Sequence, residues 1–180
     1  MNKFFKTGLI FSILLIFSGC ATWQLINTDN LKWKQYYFEA ELPEGWVKFN
    51  SPVHLLFLTK DGVLLQCITI SRHDLDKELP MSKKKIKENM LIQDIASIVV
   101  DEMTLNREEY LNLEFLENKP SNIGGIKGFR LIYTFNNKDF MQYRGIAYGF
   151  IFKKKYYDIE YLAAKQYYFE KGFLDFESFV

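Results

Sequence analysis

The sequence is 180 residues long, with 48% hydrophobic, 17% aromatic and 25% charged side chains, and it carries 23 Lys and Arg against 22 Asp and Glu. That composition excludes an intrinsically disordered chain, and the charge balance leaves no basic field for nucleic acid. The length suits one well-buried domain rather than two, and so large an aromatic share has to be mostly core.

At the start, Lys3 and Lys6 precede an apolar run from Leu9 to Phe17, and small residues then lead to Cys20, which is the layout of an export signal. The run is about half of the roughly 20 apolar residues that a membrane-crossing helix needs. At its end, Phe17-Ser18-Gly19-Cys20 resembles the bacterial lipobox, in which cleavage precedes a cysteine whose thiol carries a fatty-acylated glycerol; the motif usually has Leu where Phe17 stands. The resemblance implies a signal over residues 1–19 and a lipid anchor on Cys20, so that a membrane is the first partner. Ala21 rather than Asp follows the cysteine, which by the same resemblance implies the outer membrane of a cell envelope, facing the periplasm. An uncleaved N-terminal anchor is the alternative. Residues 20–32 lack a period and read as a lipid-proximal tether whose Trp23, Leu25 and Ile26 could dock on the domain or graze the bilayer. Residues 33–180 form the single domain. With Cys20 lipidated, Cys67 has no disulfide partner and reads as a small buried apolar group, a reactive thiol being the alternative.

Trp33 to Glu41 reads as an aromatic-rich strand, followed by the turn Pro43-Glu44-Gly45 and a second strand from Trp46 that Asn50-Ser51-Pro52 breaks. Val53 to Thr59 and Val63 to Arg72 flank Lys60-Asp61-Gly62, and Asp-Gly between apolar runs is a strong hairpin signal. His73 to Pro80 is charged and aperiodic, a loop. Ser82 can cap a helix from Lys83, although three lysines in a first turn oppose the helix dipole. Ile86, Met90, Ile95, Ile98, Val99 and Met103 recur at helical steps and predict one face packed on a sheet. Leu111, Leu113 and Phe115 alternate as a half-buried strand, and residues 119–125 read as a turn. Three meander strands follow, at about 126–135, 140–152 and 156–163, their short polar connectors implying antiparallel pairs. Phe169, Phe173, Phe176 and Val180 make a closing amphipathic helix. The sum is an α+β domain, a largely antiparallel β-sheet flanked by α-helices.

Several stretches together carry a family resemblance: Leu42-Pro43-Glu44-Gly45-Trp46, the run Pro120 to Gly128, Tyr148-Gly149-Phe150-Ile151 leading to Tyr156-Tyr157, and the end Phe173 to Val180. On these the chain resembles the PsbP-like family, over roughly residues 33–180. The resemblance implies a layered sandwich of antiparallel sheet and helices and a role in binding or assembly without catalytic residues. Related chains usually continue past the closing helix, whereas this one stops at Val180, so the resemblance leaves an edge strand or cap in question.

The residues themselves offer few sites. Gly124-Gly125-Ile126-Lys127-Gly128 precedes a strand, so it reads as a turn and not a phosphate-cradling loop. The common hydrolase, nucleotide and metalloprotease motifs are absent, and nothing implies a cofactor. His73-Asp74-Leu75-Asp76-Lys77-Glu78 is the one local gathering of imidazole and carboxylates, and as a metal or enzyme site it competes with a solvated loop. Lys83-Lys84-Lys85 with Lys87 could meet anionic head groups or simply be solvated. The doublets Tyr36-Tyr37, Tyr156-Tyr157 and Tyr167-Tyr168 are more specific to this chain. Strand alternation should leave one ring of each strand doublet outside the core, and outside rings can bind. The expectation is a non-enzymatic, lipid-anchored envelope protein that binds an envelope protein or a small ligand. An enzyme and a periplasmic spacer are the rivals, and a cleft of mutually oriented titratable groups would favour the enzyme.

Overall fold

The computed structural model describes residues 23–180; the expected export signal, Cys20 and the first residues of the expected tether lie outside them. In chain order the strands are β1 (Trp23–Leu25), β2 (Lys32–Gln35), β3 (Phe38–Glu41), β4 (Val47–Phe49), β5 (Leu56–Thr59), β6 (Gln66–Asp74), β7 (Leu111–Ile123), β8 (Ile126–Asn136), β9 (Gln142–Phe152) and β10 (Lys155–Ala164). Helix α1 (Ile92–Leu105) joins β6 to β7, and α2 (Tyr168–Phe179) closes the chain. Eight strands form one antiparallel sheet in the order β1-β4-β5-β6-β10-β9-β8-β7, and β2 pairs with β3 as a separate hairpin. The architecture is α+β.

The sheet is covered on both faces. The β2–β3 hairpin and α2 pack on one face with Trp46, Leu58, Ile68, Phe150, Tyr157 and Tyr161, and α1 packs on the other with Phe129, Leu131, Tyr133, Phe135 and Tyr143. Successive residues of β8, β9 and β10 therefore enter opposite cores, and these strands are apolar almost throughout. Helix α2 is tied down at both ends of its inner face. The Trp46 indole donates to Asp175 at 2.8 Å, and the Tyr161 hydroxyl donates to the Tyr168 carbonyl at 2.9 Å. The meander is built on two-residue turns, Gly124-Gly125 and Lys153-Lys154, all four residues at positive φ as a twist-matched hairpin turn requires.

Several local expectations are corrected. Residues 33–41 are not one strand but two, folded back at Tyr36-Tyr37, with Tyr36 at φ 55°. The second apolar run of the Asp61-Gly62 turn enters the sheet only at Gln66, because the Leu65 and Gln66 N–H groups both return to the Gly62 carbonyl. His73 and Asp74 lie in β6 and not in a loop, paired with Tyr156 and Lys155. The helix starts at Ile92 and not at Lys83, and Ser82 caps nothing. Residues 76–86 instead double back, Asp76 N–H to the Ile86 carbonyl and Leu79 N–H to the Lys84 carbonyl, and this turn spares the three lysines a helix N-terminus while Ile86 keeps its place in the core. Residues 119–123 continue β7, whose position at the sheet edge tolerates Pro120. Of the tether segment, Trp23 to Leu25 pair with β4 and Ile26 is buried, while the side chains of Trp23 and Leu25 stay exposed.

Candidate functional site

A cavity on the α1 side of the sheet follows from the small side chains of β9. Alternation turns Tyr143, Gly145, Ala147 and Gly149 to this face. A Cβ on Gly145 would stand 2.2 Å from the Tyr133 ring, and one on Gly149 would stand 2.2 Å from the Phe129 ring and 2.7 Å from the Tyr156 hydroxyl. Rings from β8 and β10 thus lie across β9. Helix α1 packs over β7 and β8, so the neighbouring strands β9 and β10 are roofed by Leu79, Pro80 and Ile86 together with the edge of α1. Between roof and sheet is a cavity of about 350 Å³.

Its walls are Leu79, Ile86, Val99, Met103 and Ala147, and its floor is one side of β10: Tyr156, Asp158 and Glu160. These three alternate with Tyr157, Ile159 and Tyr161, which fill the opposite core. Asp158 accepts a hydrogen bond from His73 Nε2 at 2.8 Å, and that bond raises the pKa of His73. Glu160 accepts from the Tyr133 hydroxyl. Desolvation nevertheless pushes the Glu160 carboxyl up to about 7, outweighing the contrary effect of that hydrogen bond. Glu102, on the rim, accepts from the backbone N–H groups of Met81 (2.9 Å) and Ser82 (2.7 Å). Among the described residues, no lysine or arginine lines the cavity. Beside it, Cys67 carries a thiol that burial pushes up to about 12, so the thiolate is not populated at neutral pH.

A second groove of about 350 Å³ lies on the other face, between the β2–β3 hairpin and the sheet. Trp33, Phe38, Ile70, Phe150 and Phe152 line it, Val180 closes one end and Tyr37 stands at its rim.

The structure does not bring the six tyrosines together. Tyr36 and Tyr37 are both exposed because they form a turn, and each ring has a cation over it, Arg72 at 4.4 Å and Lys153 at 5.6 Å. Tyr156 and Tyr157 are both buried, at 5% and 2% exposure, since each face of the sheet is covered; the expectation of one outside ring fails here. Tyr167 is exposed beside Lys171, and Tyr168 is half-buried. Two of the three acidic residues of the His73–Glu78 segment are taken up by ion pairs. Asp74 binds Lys155 and Lys77, which hold its carboxyl down at about 2, and Glu78 lies 3.5 Å from Lys85. Among the described residues, no three His, Cys, Asp or Glu side chains converge as a metal site requires. Lys84 pairs with Asp101.

Glu160, Asp158, Tyr133 and Gly145 were not singled out by the sequence reading. A signal existed: Gly145-x-Ala147-x-Gly149 empties one face of a strand, and Asp158-x-Glu160 puts two acids on a single face of a strand that is otherwise apolar.

No protein-family model and no curated protein matches the sequence. Solved structures do match. The cyanobacterial PsbP of Synechocystis, CyanoP, superposes with a TM-score of 0.53 at 14% identity, over 91% of this chain and 92% of that one. A protein of unknown function from Pseudomonas aeruginosa, PA94, superposes at 0.52 and 10% identity, over 83% and 94%. The fold is PsbP-like.

Proposed function

We propose that the protein is a lipid-anchored component of a bacterial cell envelope, held through Cys20 to the outer membrane and facing the periplasm, which binds a small ligand in the cavity between α1 and β10 and acts by binding rather than catalysis. Support for the anchor comes from the Lys3 to Cys20 sequence, while no helix among the described residues is long and apolar enough to cross a membrane. The observation that carries the binding reading is Glu160. A carboxyl desolvated under apolar walls costs stability whenever it ionises, and such groups concentrate where a ligand repays the cost. Of the six tyrosines, Tyr156 contributes to this site; Tyr36, Tyr37 and Tyr167 are the rings left for an envelope protein.

Two measurements test the proposal. Intact mass of the protein from its own cells should show a mature chain acylated at Cys20, and an unmodified cysteine there ends the anchoring reading. A solvent extract of the purified wild-type protein should contain a small molecule that is missing from Ala147→Phe, which fills the cavity; identical extracts would end the binding reading.

A second reading is favoured by one observation, the ordered His73–Asp158 pair in the same cavity as a carboxyl near 7, which is a workable acid–base set. Chemical change of the extracted compound on incubation with fresh protein, lost in Glu160→Gln, would put the enzyme first.

A further inference from the structure

The polar groups of the cavity define a chemistry. Three carboxyls, those of Glu102, Asp158 and Glu160, reach it without a lysine or arginine among the lining residues, and the His73 imidazole is the one basic group. Only one oxygen of Glu160 is engaged, by Tyr133. Tyr156 is 5% exposed and lines the cavity, and among the described residues its hydroxyl makes no hydrogen bond. This hydroxyl opens onto the cavity, where it can both accept from and donate to a ligand. Tyr156, Asp158 and Glu160 stand on one side of β10 at two-residue steps of about 6.6 Å. An anion entering here meets like charge. A neutral apolar molecule leaves the second Glu160 oxygen and the Tyr156 hydroxyl without the partners that water would give them.

We infer that the cavity is a site for a primary ammonium carried on a short apolar body, the ammonium donating to Glu160, Asp158 and the Tyr156 hydroxyl while Val99, Met103, Ile86 and Ala147 enclose the body. The inference rests on the ligand-binding reading of this cavity and gives it a substrate class. A primary ammonium has three N–H donors and no acceptor, which matches a site of acceptors, and its charge replaces the missing lysine. The groups that face Glu160 are Tyr133 from β8, Tyr156 and Asp158 on its own strand, Cys67 from β6, and Glu109 and Tyr110 from the segment after α1. None is a cation. The bound ammonium therefore favours ionised Glu160, and affinity should rise from pH 5 to pH 8 as that carboxyl releases its proton and His73 loses its own.

The test is a titration of the full ¹⁵N-labelled chain in phosphatidylcholine nanodiscs with hexylammonium, 1-hexanol and hexanoate, following the amide signals of Tyr156, Asp158 and Glu160. Hexylammonium should shift these signals, hexanol should bind about tenfold more weakly or less, and hexanoate should not bind. Glu160→Gln should weaken hexylammonium by about tenfold and flatten its pH dependence, and Asp158→Asn should weaken it by about tenfold. If Glu160→Gln does not fold, Asp158→Asn and the pH series on wild type decide the matter. Hexanol binding as tightly as hexylammonium overturns the cationic class and leaves a ligand cavity standing. Signals that move with none of the three probes overturn the cavity reading and this inference with it.

Discussion

Replacing Glu160 by Gln should stabilise the protein, and only above the pH at which the carboxyl begins to ionise. The side chain keeps its shape and can still accept from Tyr133, but it no longer takes a charge into a desolvated site. Burial raises the Glu160 carboxyl from 4.5 to about 7, so between those values the folded protein holds a proton that the unfolded chain has released. Stability then falls as pH rises through this window, and the loss is complete above about 7. At 1.36 kcal/mol per unit the shift corresponds to about 3 kcal/mol, and the desolvated amide of the variant takes back part of it, leaving about 1–3 kcal/mol in favour of Gln at pH 8. The assay is urea unfolding of both proteins at pH 4 and pH 8. His73, Asp158 and the remaining titrating groups are common to both, so the quantity read is the change in the gap between them. A gap of the same size at both pH values would refute the reasoning, since it would mean that Glu160 is not desolvated in the folded state.

Two further outcomes follow from the same structure and a third from the sequence. Gly145→Ala should destabilise by about 1–3 kcal/mol in denaturant unfolding, because its Cβ would lie 2.2 Å from the Tyr133 ring, and it should also enlarge the pH-dependent advantage of Glu160→Gln, since displacing Tyr133 removes the hydrogen bond that holds the Glu160 carboxyl down. Gly62→Val should cost about 1–3 kcal/mol, because Gly62 sits at φ 123° and accepts two N–H groups that start β6; an unchanged denaturation midpoint would show that the turn tolerates a side chain. Cys20→Ala should release the protein from the membrane fraction or block its processing, and a variant that still sediments with membranes would remove the lipid as the anchor.

What could be read from the residues was the layering, because it is a matter of period. Alternation and short polar connectors located β8, β9 and β10, and the steps from Phe169 to Phe176 located α2. The failures have local causes. The β2–β3 turn is made by Tyr36-Tyr37 without a glycine or asparagine, and the edge-to-face contact of Phe38 with Tyr157 at 4.7 Å holds it in place of turn chemistry. The start of α1 was misplaced because Ile86 and Met90 continue the helical period while belonging to a folded-back segment that packs on the same core. The tyrosine doublet of β10 was misread because alternation fixes which face a ring takes but not whether that face is covered. The cavity was missed for a related reason. It is made by what β9 lacks at Gly145, Ala147 and Gly149, and by rings of neighbouring strands lying across that gap, and neither is visible until the strands are placed side by side.

The most direct measurement on the binding reading is a crystal structure of the protein purified from its own cells without exchange of its contents. The account predicts electron density for a small non-protein group between Val99, Met103 and Tyr156, with a nitrogen within hydrogen-bond distance of Glu160 and Asp158. A cavity filled only by ordered water, with Glu160 and the Tyr156 hydroxyl bonded to it, would contradict the account.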